Sequence, residues 1–212
     1  MKMKFLSVAL GIILSATVMS ASAQKSYTEG VVSYTTEMRG QQASVKNYFK
    51  SDSSASVITM GAAVIKVLSD AKHTYLAVVL DVPVASIKKA GIATPSELEE
   101  GMAALPTFTY TPTTETKQIS GFNCKKVVAK DSKSSKTYDV WVTNDISVPQ
   151  TAFPFYYGSI GGFPVQFTAF QQGQETTITI SGVSGDKAPA GTYGISKDFD
   201  KGSLSDLGGG GN

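Results

Sequence analysis

The stretch KQISGFNCKKVVAKDSKSSKTYDVWVT, residues 117–143, decides the fold together with GGFPVQFTAFQQGQETTITISGV, residues 161–183. Each reads as a β-hairpin. Ser120-Gly121 turns the chain into FNCKKVVAK, and Asp131-Ser132-Lys133-Ser134-Ser135 turns it again into TYDVWVT. In that last segment Tyr138, Val140 and Val142 share one apolar face. Trp141 lies opposite, beside Asp139 and Thr143, where it either covers a sheet edge or lines a groove. In the second hairpin Phe163, Val165, Phe167 and Ala169 alternate with Gln166 and Thr168. After a Gln-Gly-Gln turn, Thr176, Ile178 and Ile180 alternate with Thr177, Thr179 and Ser181. Between the hairpins, DISVPQTAFPFYYGSIGG (residues 145–162) concentrates Phe153, Phe155, Tyr156 and Tyr157 in a segment that Pro149, Pro154 and Gly158 keep irregular. It is either a loop plugging the open end of a barrel or a mobile rim over an apolar cavity.

Upstream, the pattern stays β. In SYTEGVVSYTTEMRG, Val32, Tyr34 and Met38 oppose Ser33, Thr35 and Glu37, a half-buried strand closed by Gly40. ASVKNYFK begins a second strand, and after the polar SDSSAS run VITMG gives a third short strand or the far side of a turn. AAVIKVLSD and HTYLAVVLDVP are joined through Asp70-Ala71-Lys72. Leu76, Val78 and Leu80 lie on one face of the latter, and Ala77 and Val79 on the other. A strand apolar on both faces expects a cover on both. GIATPSELEEGMAALP is the one clear helix: Thr94 is the N-cap, Pro95 occupies N1 and Glu97 sits at N3, a capping box. Leu98, Met102 and Leu105 make one apolar stripe, and Pro106 ends it. Beyond Val183 a short extended piece is expected near GTYGISKDF, then a Gly-rich disordered tail over 201–212.

At 212 residues and 42% hydrophobic, the chain can bury one well-cored domain, placed at 24–200. Lys2 and Lys4, the apolar run Phe5–Val18 and Ala21-Ser22-Ala23 read as a signal peptide over 1–23. The expected protein is therefore periplasmic or secreted, and with no Cys just after the cut it is not a lipoprotein. Without Lys2 and Lys4 the 19 basic residues become 17, matching the 17 acidic ones. That near-zero balance speaks against a nucleic-acid partner. No later segment has the ~20 apolar residues of a membrane span. Cys124 is the only cysteine, so no internal disulfide forms and the residue reads as a small apolar strand member.

The residues offer little chemistry. A single His and a single Cys cannot furnish a metal site, and His73 has no nucleophile motif to serve. Asp139 and Asp145 read as strand-end aspartates. No catalytic residue, no cofactor and no enzyme activity are expected.

The run Lys117-Gln-Ile-Ser-Gly-Phe-Asn-Cys-Lys-Lys with Tyr138-Asp-Val-Trp-Val-Thr resembles the central signature of a family of exported bacterial domains of unknown function, similar to the periplasmic lipoprotein carriers of the LolA/LolB type. Gly162-Phe-Pro-Val-Gln-Phe, Thr177-Ile-Thr-Ile-Ser-Gly-Val, Ala188-Pro and Phe199 resemble the closing strands of those carriers. The likeness spans roughly 27–200. It implies a mainly β (α+β) fold: a curved antiparallel sheet, or incomplete β-barrel, with a short helical lid over an apolar concave face that holds a lipid or acyl chain. The residues expected to line that face are Leu98, Met102, Leu105, Tyr138, Val140, Val142, Phe153, Phe155, Tyr156, Phe163 and Phe167. Here the first strand begins close to the mature terminus and Arg39 has no counterpart among the carriers' lid-holding residues, so lipoprotein transport is not carried over. The alternative is an envelope-associated structural or interaction protein whose concave face is filled by its own side chains.

Overall fold

The computed structural model describes residues 24–38, 40–171 and 173–208. Expectations for the signal peptide, Arg39 and residues 209–212 lie outside them. The described residues form fourteen strands and two α-helices, in the order β1 (Lys25–Ser26), β2 (Glu29–Met38), β3 (Gln41–Lys50), β4 (Ser53–Met60), β5 (Ala63–Asp70), β6 (Leu76–Val82), β7 (Ile87–Ile92), α1 (Pro95–Ala104), β8 (Phe108–Ile119), β9 (Phe122–Asp131), β10 (Thr137–Thr143), β11 (Ile146–Ser147), β12 (Phe163–Gln171), β13 (Gln174–Ser184), β14 (Asp200–Ser203) and α2 (Leu204–Gly208). Twelve of the strands form one sheet, ordered β14-β7-β6-β5-β4-β3-β2-β13-β12-β10-β9-β8, antiparallel at every step except β14–β7. β1 and β11 make a separate parallel pair.

The connection between β7 and β8 forces this sheet to curl. Ten inter-strand steps separate these two strands, about 48 Å in a flat sheet at ~4.8 Å per step. The chain between them is residues 93–107, most of it α1. A ten-residue helix spans about 15 Å and five extended residues add at most about 18 Å, well short of the flat distance. The sheet is therefore bent until its two flanks approach, and α1 crosses the gap. It is a curved, mainly antiparallel sheet not closed into a barrel, as the residue pattern and the resemblance imply. Tight hairpins suit such a sheet: Ser120 and Gly121 both have positive φ (51° and 83°), the two-residue turn whose twist matches the strands it joins.

The largest core lies inside the β9–β10–β12–β13 half, where Val140, Val165, Phe167, Ile178 and Ile180 meet Tyr157 and Ile160 of the 145–162 segment. Tyr157 is fully buried, stacks on Phe108 at 5.4 Å and donates its hydroxyl to Thr168 O at 2.8 Å. Tyr110 donates to the Tyr156 carbonyl. In this half the aromatic segment is a plug.

The other half is covered from outside. Ala55, Leu68, Ala77, Val79 and Ala90 form a shallow, alanine-rich shelf on one face of β4–β7, and Tyr193, Ile195 and Phe199 pack onto it. This covers the Ala77 and Val79 face of the strand at 76–80; Leu76, Val78 and Leu80 on the other face stay half-buried. Three details differ from expectation. The SDSSAS run is mostly strand, because Ala55 alternates with Ser54 and Ser56 and can be fully buried between them. Residues 190–199 make turns instead of an extended piece. Residues 200–208 are not a disordered tail: β14 pairs in parallel with β7 and α2 follows it. Gly91 makes this docking feasible, since a Cβ there would stand 2.7 Å from Ser203 O and 2.8 Å from Leu207 Cδ1.

Candidate functional site

Where the plug ends, a cavity of about 390 Å³ begins. Val32 and Tyr34 of β2, Phe167, Ala169 and Phe170 of β12, and Ile180 of β13 form one wall. Phe153, Phe155 and Tyr156 look into it from the irregular segment, so the plug of one half is the rim of the other. Leu98, Met102 and Leu105 line the roof from α1. On the adjoining strands the same wall turns polar: Asn47 of β3, which pairs with Val32, Ser54 and Ser56 of β4, and Ser69 and Asp70 of β5. Register places these together, since Ser56 pairs with Asn47 and Ser54 with Ser69.

The polar wall is internally bonded. Ser54 and Ser69 hydroxyls meet at 2.9 Å. Ser56 donates to Asn47 Oδ1 at 3.1 Å, and Asn47 Nδ2 donates to Ala152 O at 3.0 Å, which ties the plug segment to the sheet. The Asp70 carboxylate accepts from Thr74 N, Thr74 Oγ1 and Tyr75 N at 2.6–2.9 Å. Burial pushes the Asp70 carboxyl upward, but these bonds outweigh it and leave it below the usual carboxylate range. The same turn holds His73 at φ 56°, with its ring 4.6 Å from that of Phe155 at the cavity edge. Burial raises the Tyr34 phenol to about 12 and the Tyr156 phenol further still, so both stay protonated.

Helix α1 is a strap. It buries none of its residues, and Met102 is 39% exposed. Its capping box is complete: Glu97 N donates to Thr94 Oγ1 at 3.2 Å and Thr94 N to Glu97 Oε2 at 2.8 Å. Polar bonds tether both ends. Glu97 Oε1 accepts Ser205 N of α2 at 2.9 Å, and Lys133 Nζ donates to the Ala103 and Leu105 carbonyls at 2.6 and 2.7 Å.

Seven of the eleven residues expected on the apolar face line the cavity: Leu98, Met102, Leu105, Phe153, Phe155, Tyr156 and Phe167. Val140, Val142 and Phe163 do not; they are buried in the core of the plugged half. Tyr138 also stays outside, with its ring against Phe108 and Phe170 and its hydroxyl on Glu175. Tyr138, Val140 and Val142 sit on β10, and Phe163 at the start of β12; the plug packs against Val140, Val142 and Phe163. The serine wall was missed, although Ser54-Ala55-Ser56 shows the alternation that would have found it. Trp141 lies outside the cavity, covered by Lys117, whose Nζ is 4.0 Å from the ring centroid.

Among the described residues the other titratable groups singled out in the sequence lie apart. Asp139 faces Lys126 at 3.3 Å, and Asp145 accepts Asn123 N at 2.7 Å. Cys124 is buried, and desolvation raises its thiol, which makes it a poor nucleophile. Among the described residues no group of three or more His, Cys, Asp or Glu could hold a metal ion. None of the described helices is long and apolar enough to cross a membrane.

No family model matches this chain, and no curated protein does. Among solved structures, two crystal forms of PNGF-II are similar, in space groups C2 and P21. They are 16% and 15% identical with TM-scores of 0.44 and 0.45, and each match covers 85% of this chain and 32% of the other. The chain thus spans about a third of PNGF-II. A likeness of that strength carries no chemistry across.

Proposed function

We propose that this protein is an exported, non-enzymatic binding module that holds a lipid-like or other apolar ligand in the cavity beneath α1. The single observation that carries the reading is a helix with an apolar stripe and no buried residue, roofing a cavity of about 390 Å³. A stripe such as Leu98, Met102 and Leu105 normally docks on a core. Here it faces space of the size that small-molecule pockets use, about 300–1,000 Å³. The aromatic rim and the serine wall give that space an apolar and a polar side. The resemblance to LolA/LolB-type carriers and the leader-like first residues support the same assignment, with a periplasmic or secreted location.

The filled half around Tyr157 favours the second reading, an interaction protein whose concavity is its own core. Titration with Nile red, an uncharged dye that brightens in apolar surroundings, separates the two. Saturable binding that Met102→Trp or Phe155→Trp alters supports the module. No binding, together with a protein that carries no extra mass in native mass spectrometry after purification from its own host, would overturn it.

A further inference from the structure

The charges around the cavity select among apolar ligands. Asp70 and Glu97 line it, and both carboxyls are held below their ordinary range by the hydrogen bonds they accept. Among the described residues no Lys or Arg lines it. Lys133 reaches the same helix, but its ammonium is bonded to the Ala103 and Leu105 carbonyls. A helix N-terminus would ordinarily offer N–H groups to an anion. In α1 the capping box has taken that role, with Glu97 placing a negative charge there. The serine wall points the same way. Ser56 has given its one proton to Asn47, and one of the Ser54–Ser69 pair has given its proton to the other. What remains is mostly acceptor lone pairs.

Resting on the binding-module reading, we propose that the ligand is an amphiphile whose polar end is uncharged or cationic and donates hydrogen bonds, and that the cavity rejects a carboxylate on the same chain. A hydroxyl or ammonium head finds acceptors on Ser56, Asp70 and the Ser54–Ser69 pair. A carboxylate head loses its water, meets two like charges and finds no Lys or Arg on the lining. Like-charge juxtaposition is unfavourable, with solvent screening both carboxylates in part.

The test is displacement of bound Nile red by dodecanol, dodecylamine and dodecanoate, each below its micelle concentration, at mildly alkaline pH where the amine is protonated and the acid ionised. Near-UV circular dichroism checks that the fold persists. Dodecanol and dodecylamine should displace the dye at concentrations roughly tenfold or more below those dodecanoate requires. The double variant Asp70→Asn with Glu97→Gln keeps a turn acceptor and a capping-box partner. It should shrink that gap severalfold. Dodecanoate displacing as well as the other two, a gap unmoved by the double variant, or dye that none of the three displaces would each overturn the proposal while leaving the cavity as a binding site. Failure of the dye itself to bind overturns both.

Discussion

The carboxylate of Glu97 accepts the backbone N–H of Ser205 at 2.9 Å and thereby joins α1 to α2 across 108 residues of chain. The same side chain closes the capping box on Thr94, so one residue both starts the roof helix and fastens it. Its carboxyl is lowered to about 2, first by the Thr94 backbone N–H and then by that of Ser205. A folded-state value below the unfolded one means that its contribution is present above about pH 4.5 and is lost as pH falls toward 2. Amides of residues 95–104 should therefore lose hydrogen-exchange protection across that interval before the β2–β3 amides do. Simultaneous loss of both sets would contradict an independently fastened helix.

Thr94→Ala removes the other half of the box while leaving the cavity lining intact. It should cost about 1 kcal/mol, the usual scale of an N-cap. Because α1 buries nothing, that cost should appear as local opening of the helix, with little change in the global denaturation midpoint. A midpoint shift without a change in α1 exchange would indicate that the helix is integral to the core.

At the far end, Lys133 depends on Asp131. That carboxylate is buried and accepts from Thr107 N, Lys133 N, Ser134 N and Ser134 Oγ at 2.6–3.2 Å, with the Ser134 hydroxyl the main reason its carboxyl falls to about 2. Asp131→Ala strands several N–H donors at once and should cost on the order of 2–3 kcal/mol by chemical denaturation. Lys133→Met keeps the turn and removes only the tether. It should leave the denaturation midpoint nearly unchanged and speed exchange at residues 101–104. Equal losses for the two variants would argue against this division of labour.

Strand periodicity made the hairpins legible because each strand of the β9–β13 half has one buried face, and burial writes alternation into sequence. The helix was legible to its caps for a similar reason: Thr94, Pro95 and Glu97 act within one turn. Legibility ended where long-range packing decides. Residues 190–208 carry little pattern, since their cover of Ala77 and Val79 depends on a shelf more than a hundred residues upstream. Within the site, the apolar stripe of the helix and the aromatic residues of the irregular segment both border the cavity. Periodicity is silent on where the 145–162 segment packs; Ile146, Ala152, Tyr157 and Ile160 fill the concavity there, which is why Val140, Val142 and Phe163 are expected around a ligand and lie in core. Ser54 and Ser56 lie in a polar run whose strand character rests on the buried Ala55 between them.

Tyr157 should dominate the stability of the plugged half. Tyr157→Ala removes a fully buried ring packed on Phe108 and Phe167 and should cost about 3–5 kcal/mol. Tyr157→Phe loses only the bond to Thr168 O and should cost about 1 kcal/mol. Thermal and urea unfolding followed by near-UV circular dichroism would order the two. A small effect from the alanine variant would place the core elsewhere.

Gly91 tests whether the carboxy-terminal segment is part of the fold. A methyl group at this position meets the Ser203 carbonyl and the Leu207 side chain at contact distances that real Cβ atoms do not adopt, so β14 and α2 must move away. Ser205 would move with them, and Glu97 would lose its distal partner. Gly91→Ala should thus expose residues 200–208 to limited proteolysis and also raise exchange in α1, even though Gly91 does not touch that helix's capping box. The main sheet, whose β2–β13 core lies several strands away, should keep its near-UV signal. Release of the segment without any change in α1 would show that the Glu97–Ser205 bond does not fasten the roof.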